Sequence, residues 1–446
     1  MSTIFRQYNE ILKKHITLCN VAKKYTFEKM QELVPEVQSN IKLIQDSLSM
    51  AVDDSTCNSE DDADKVVELP ISKFLSLNRL FQKQEEYDAL TNYLPNNLIV
   101  SVASSYDIYL SVLLQKTIID KNMFGLIKKE LSLNDVLKYS CKEDLASDCV
   151  EEKISELMRK SHKEQVEWVE KSFKIDIINS FLEWKTVFEF FQVRNIIVHN
   201  DGVVNQIFIE ELKKTGISAG KYKLGEKIIF NPEEISKQIR CIIDFSAYLF
   251  SMILRTLYKG KDNLEKIDGI LNNIVYDFLC QKKYTQVVSI VDNILKSNQQ
   301  HNSADVFMLT INKCIALKNN GNNSYIKILE KLDWSNCEND FKFARAILMN
   351  ETEQACAIME SLDKEDMIFA YVEWPLCKDF IKTEEFKLKF KEIYGTDFEE
   401  TLSKLSDEKS QYLYENKIIE LATSEGDGEC KQAVPELEEE AALVLV

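Results

Sequence analysis

The sequence predicts an all-α chain, a helical bundle followed by a solenoid-like array of helices, and three observations carry that prediction. The 446 residues include only 11 Gly and 6 Pro, too few for the many tight turns of an all-β fold. Apolar residues recur at helical spacing through most of the chain. From residue 262 onward, helix-length stretches follow one another with short polar breaks, the pattern of antiparallel helix pairs in a solenoid. The length allows two or three domains, each with its own core. A hydrophobic content of 45% and an aromatic content of 10% mark a globular chain.

Residues 3–50 read as an amphipathic helix on Ile4, Tyr8, Ile11, Leu12, His15, Ile16 and Cys19. Residues 51–64 carry six acids and no base (Asp53, Asp54, Glu60, Asp61, Asp62, Asp64) and read as a solvated linker. A second helix follows Pro70, over 71–92. Pro95 then precedes a helix from Leu98 to Asp120 that is apolar on most faces, as a core or interface helix is. A short helix starts near Ser132, and Glu151–Phe173 reads as one long charged helix. Its His162 sits beside Arg159, Lys160 and Lys163 and is expected to be exposed. Residues 175–198 form the most densely apolar helix, which ends at His199-Asn200-Asp201-Gly202. Segments 203–209 and 221–230, divided by Gly216 and Gly220, read as a small β-hairpin. Asn231 then caps a helix with Pro232 at its first position, running to about Leu257. The later helices are expected at 263–280, 284–298, 303–318, 322–331, 340–361 and 364–394, with Trp334 and Trp374 packing between them.

The formal net charge is −18, which argues against a large basic surface for stable duplex binding. It is unevenly spread. Residues 51–64 and the tail 396–446, which has fourteen acids against four bases, supply 16 of the 18 excess negative charges. The remainder is nearly neutral and leaves room for a local basic groove. Eleven cysteines include no CxxC pair, and His15, His162, His199 and His301 are too dispersed for a zinc site. No metal or cofactor is expected. The polar opening Met1–Glu10 gives no expectation of a signal peptide. The apolar run Cys241–Leu254, interrupted by Asp244, is too short and too polar to span a bilayer. These features predict a reduced, cytoplasmic protein with no membrane partner, its cysteines packing as small hydrophobes. The tail ends in the apolar Ala441–Val446, read as a frayed terminus or a docking segment.

The candidate chemistry sits in Val193-Arg194-Asn195-Ile196-Ile197-Val198-His199-Asn200-Asp201-Gly202. An Arg among Phe and Ile must gain a partner: a salt bridge, an interface or an anion. A histidine near neutrality can take the proton from a ribose 2′-hydroxyl, which then attacks the adjacent phosphate. A guanidinium can stabilise the charge that builds on phosphorus. Asn195 is placed to orient His199 or to contact phosphate. Residues five apart on a helix differ by about 140° around the axis and about 7.5 Å along it, so a single helix does not present both to one ligand side by side. The competing reading pairs Arg194 with a core carboxylate such as Glu189 and leaves His199 as a helix cap. Lys213, Lys214, Lys221, Lys223 and Lys227 around the hairpin read first as a solvated face and second as RNA phosphate contacts.

Arg194 to His199 at the close of a buried helix resembles the RxxxxH motif of HEPN domains (higher eukaryotes and prokaryotes nucleotide-binding). Leu98–Asp107, LIVSVASSYD, resembles the helix that precedes the active helix in bacterial members, and Val193–Val204 resembles their active-site segment. The likeness covers roughly 90–260. Residues 262–395 resemble the TPR-like helical repeat that accompanies some of these domains, most clearly at Asn312–Leu317 and Glu373–Leu376. The resemblance implies an N-terminal segment over 1–85, a HEPN domain over 86–261, a repeat domain over 262–395 and an acidic tail over 396–446. It further implies a homodimer whose two Arg/His pairs share a cleft. The implied activity is metal-independent endoribonuclease cleavage, in toxin or antiphage roles, with Arg194 and His199 catalytic. Asn195, Asn200, Asp201, Lys221 and Lys223 would support them or contact RNA, and the repeats would hold a partner or trigger. Some toxin members carry Tyr two residues after the His. Asp201 stands there in this chain, so control through modification of that residue is not implied. The alternative is a non-catalytic scaffold that dimerises and holds RNA or protein.

Overall fold

A computed structural model describes residues 3–53, 70–296 and 303–403. Most of the acidic stretch 51–64, His301 and the tail beyond residue 403, Ala441–Val446 included, lie outside the described residues. Every regular element described is a helix. The chain divides into two compact units, residues 1–333 and 334–446.

The first unit opens with two long helices, α1 (Thr3–Asp53) and α2 (Ile71–Asp120). They pair antiparallel, as side-chain bonds at both ends show. The Tyr8 hydroxyl donates to Asp120 at 2.9 Å, while Asn40 donates to the Leu80 carbonyl at 3.1 Å. Pro95 does not divide α2; it lies buried inside one continuous helix, as Pro35 lies inside α1. Each proline removes one backbone donor, a cost of about 3 kcal/mol in an isolated helix, and the lateral packing of α1 on α2 offsets it. Position 85 therefore falls within α2. That helix also holds the one stretch among the described residues long and apolar enough to cross a membrane. Its Tyr106, Tyr109, Leu110, Leu113 and Leu114 are buried in the unit.

A capping box on Ser132 starts the short α3 (Leu133–Val136). The expected long helix over 151–173 is two helices, α4 (Lys142–Met158) and α5 (His162–Phe173). Ser161 breaks it because its hydroxyl caps the Glu164 amide while Glu164 caps back. This restart turns His162 inward with Val166, Val169 and Phe173. His162 is therefore buried rather than exposed, stacked on Phe191 at 3.6 Å.

After α6 (Trp184–Asn200), the expected hairpin is replaced by α7 (Gln206–Lys214). The Asn205 side chain accepts from the Phe208 amide and starts the helix, and Phe208 and Leu212, four apart, bury its inner face. Of the hairpin only one bridge remains, Val203 to Lys227, flanked by backbone bonds such as Val204 N–H to Glu226 O at 3.0 Å.

Central to the unit is α8 (Pro232–Leu257), capped by Asn231, whose side chain accepts from the Glu233 amide at 2.8 Å. Every residue from Cys241 to Arg255 is buried in it, because α1, α2 and α6 pack against it, and so do the first two of the four helices that complete the unit. Those four are α9 (Lys261–Cys280), α10 (Tyr284–Lys296), α11 (Ser303–Asn319) and α12 (Ser324–Lys331). Because α8 and α9 pack together, contacts cross position 261. The second unit holds α13 (Asn339–Leu348), α14 (Thr352–Met359), α15 (Lys364–Glu373) and α16 (Glu384–Tyr394). Asn350, at φ 60°, breaks the expected helix over 340–361. The core of this unit is a run of edge-on rings, Phe343, Tyr371, Phe380, Phe386 and Phe390.

Candidate active site

The end of α6 is built by a left-handed cap. Asp201 lies at φ 50° and Gly202 at φ 71°, and the Gly202 amide returns to the Ile196 carbonyl at 3.1 Å. Asn200 fixes the exit by donating to the Val203 carbonyl. The inner face of α6, with Val187, Phe188, Phe191 and Ile196, is buried. That leaves Arg194 half-buried and His199 exposed.

Arg194 does not reach Glu189. Its Nη2 faces Asp107 of α2 at 3.8 Å, and its Nη1 donates to the neighbouring Asn195 Oδ1 at 3.2 Å. The Arg194 and Asp107 side chains are 29% and 30% exposed, so the pair is open to solvent rather than sealed. The Arg194 Nε is buried with no hydrogen-bond acceptor among the described residues. A guanidinium offers five donors, and this one has most of them uncommitted. Burial pushes the Asp107 carboxyl up to about 6 against the opposing pull of Arg194.

The remaining predicted residues are not brought to Arg194. Lys221 Nζ lies 2.7 Å from Glu189 and also pairs with Glu234. Glu189 in turn accepts from the Tyr222 hydroxyl at 2.7 Å. Lys223 pairs with Glu226 at 3.4 Å, and Asp201 with Lys227 at 2.7 Å. Lys221 and Lys223 line a separate small cavity of about 250 Å³, and neither Arg194 nor His199 lines it. His199 makes no hydrogen bond or ion pair with the described residues.

Asp107 is the residue that sequence reasoning missed in this site. Its signal was a lone acid at the end of an apolar segment, which must pair or be neutral when covered. Next to Asp107 in sequence, Ile108 is exposed, and Val112 continues that face of α2. Val198, next to His199, is exposed as well. Among the described residues no group of three or more His, Cys, Asp or Glu is gathered as a metal would need. The described cysteines are all unbridged thiols, most of them buried. Comparison with protein-family models, curated proteins and solved structures yields no match.

Proposed function

We propose that the chain is a cytoplasmic, metal-independent endoribonuclease of the HEPN type, acting as a homodimer in a toxin or antiphage role. The observation that carries this reading is the state of Arg194. It is a half-exposed guanidinium with an unmet Nε and only a long ion pair, five residues ahead of an exposed histidine. In the proposed reaction His199 takes the ribose 2′-hydroxyl proton. The 2′-oxygen attacks the adjacent phosphorus, the P–O5′ bond breaks, and the 5′-oxygen leaves as a hydroxyl with a proton from water while His199 returns the 2′-proton to solvent, giving a 2′,3′-cyclic phosphate. Arg194 donates to the phosphate oxygens as their charge rises. Asn195 holds one edge of the guanidinium. The exposed Ile108, Val112 and Val198 give the site an apolar rim that a second copy would cover, bringing two Arg/His pairs into one cleft. In this reading the bundle is the HEPN domain, the helices after α8 are TPR-like, and they hold the partner or trigger.

The test is cleavage of single-stranded RNA and tRNA in EDTA by the full chain. Arg194→Ala and His199→Ala are each expected to lower the rate by about 100-fold or more. If both variants cut like the wild type, the assignment fails. Asp107 acts as a positioning residue. Asp107→Asn is expected to lower the rate about tenfold and to remove a limb near pH 6 from the rate profile, while Asp107→Glu restores part of the rate. A profile unchanged in Asp107→Asn would remove Asp107 from the site. The Arg194–Asp107 contact also favours a second reading, a scaffold in which the pair ties α2 to α6 without chemistry. There the full chain forms stable complexes and cuts no RNA.

A further inference from the structure

A second feature of the first unit lies apart from Arg194. Between α1, α8 and the turn joining α9 to α10 is a cavity of about 910 Å³. Six bases line it, Lys23, Lys24, Lys237, Arg240, Lys282 and Lys283, and no acid does. Two of the six face a carboxylate. Arg240 is held from behind by Glu183 at 3.1 Å and Asp244 at 3.0 Å, and Lys24 faces Glu28 at 3.8 Å. The other four have no carboxylate within 4.0 Å among the described residues.

Gathering cations that lack a carboxylate partner is unfavourable. Lys23 and Lys283 are half-buried, and both are pushed below the ordinary lysine range. Burial is the main cause, with Arg240 adding to it at Lys23 and Lys23 adding to it at Lys283. Lys283 Nζ donates to an uncharged amide oxygen, that of Asn20 at 2.9 Å, and lies 5.5 Å from the centre of the Phe278 ring. The folded body outside the acidic stretches is nearly neutral, so this concentration of charge is local. An anion would relieve it.

The cavity also has apolar walls from Val21, Phe27, Ile239 and Ile243. Its size is that of a small-molecule site, at roughly the upper end of the 300–1,000 Å³ range, and not that of a groove tracking a polymer. We propose that it binds a small ligand with several phosphates and an apolar or aromatic body, of the nucleoside triphosphate class. The phosphates lie against Lys23, Lys282 and Lys283, and the base lies along the apolar wall. Ammonium groups suit this role as mobile point charges on phosphate oxygens.

The test is titration calorimetry on the full chain in magnesium-free buffer. The probes are ATP, inorganic tripolyphosphate and a single-stranded oligoribonucleotide with no terminal phosphate. ATP is expected to bind one-to-one, and more tightly than tripolyphosphate. Lys23→Gln/Lys283→Gln is expected to weaken ATP binding by at least about tenfold, the loss of two charge-assisted contacts. The same variant should keep or raise the thermal midpoint, because it relieves repulsion, so weak binding will not reflect misfolding. Arg194→Ala should bind ATP like the wild type, which separates this site from the proposed nuclease. Absence of ATP binding at millimolar concentration would overturn the proposal, as would binding that the double variant leaves unchanged. Oligoribonucleotide binding that needs Lys23 and Lys283, without ATP binding, would overturn it in favour of RNA.

Discussion

Arg255→Met is expected to lower the unfolding free energy by about 3–5 kcal/mol, the cost of stranding a buried charge. Arg255 near the end of α8 and Asp268 of α9 are 1% and 0% exposed and form an ion pair. The guanidinium is further held by its Nε, which donates to Ser251 Oγ at 3.0 Å. Removing the guanidinium takes this counter-ion from the Asp268 carboxylate, which is wholly buried. It must then either stay charged without its counter-ion or take up a proton. The pair as a whole is a different quantity. Two ions taken out of water lose most of what their attraction returns, so Arg255→Met/Asp268→Leu should recover the greater part of the loss. Urea midpoints of wild type, both single variants and the double variant complete the cycle. A single-variant cost below about 1 kcal/mol would show that water reaches the pair and that it does not clamp α8 to α9.

That clamp was not legible in the sequence, and the reason is general. Arg255 and Asp268 each sit at a charged position of an amphipathic helix, where solvation is the ordinary outcome. Only the packing of α9 on α8 turns both inward. Local periodicity, by contrast, carried the helices themselves, including the Asn231–Pro232 start of α8 and the turn after α6. It failed where a cap overrode it. Val203, Ile207 and Ile209 look like an alternating strand, but Asn205 starts a helix between them. His162 looked solvated beside Arg159, Lys160 and Lys163, yet Ser161 restarts the helix, and 162, 166, 169 and 173 then share one buried face. In the candidate site, Arg194 and His199 were visible because they lie on one segment. Asp107 faces Arg194 across 87 positions of sequence, and no short-range pattern links them.

The burial of His162 has a measurable consequence in pH. Both ring nitrogens are buried without a hydrogen-bond partner among the described residues, and the ring is enclosed by Phe191, Tyr106, Trp184 and Phe245. Burial alone pushes its pKa down to about 3 from an ordinary 6.5. A depressed folded value means that the unfolded chain binds the proton more readily. The stability contributed by neutral His162 is therefore complete above pH 6.5 and is lost as pH falls toward 3. Between pH 7.5 and 5.0 the loss from this residue is about 2 kcal/mol. His15, also buried and held down to about 4, adds a loss of the same sign. Its two nitrogens bond Ser105 at 2.9 Å and Ser246 at 3.0 Å. Asp107, raised to about 6, and Asp244, raised to about 7, work in the opposite direction, since they gain protons more easily when folded. The wild-type slope is a sum of these terms, so a single substitution is needed to isolate one. His162→Phe keeps a flat ring against Phe191 and removes both orphaned nitrogens. It is expected to be at least as stable as wild type at pH 7.5, because a buried unmet donor costs about 1–3 kcal/mol. At pH 5.0 its advantage should grow by about 2 kcal/mol more, read from urea midpoints at the two pH values. Equal pH slopes for the variant and wild type would mean that His162 is reached by water or protonated in the fold, and that the restart at Ser161 does not bury it.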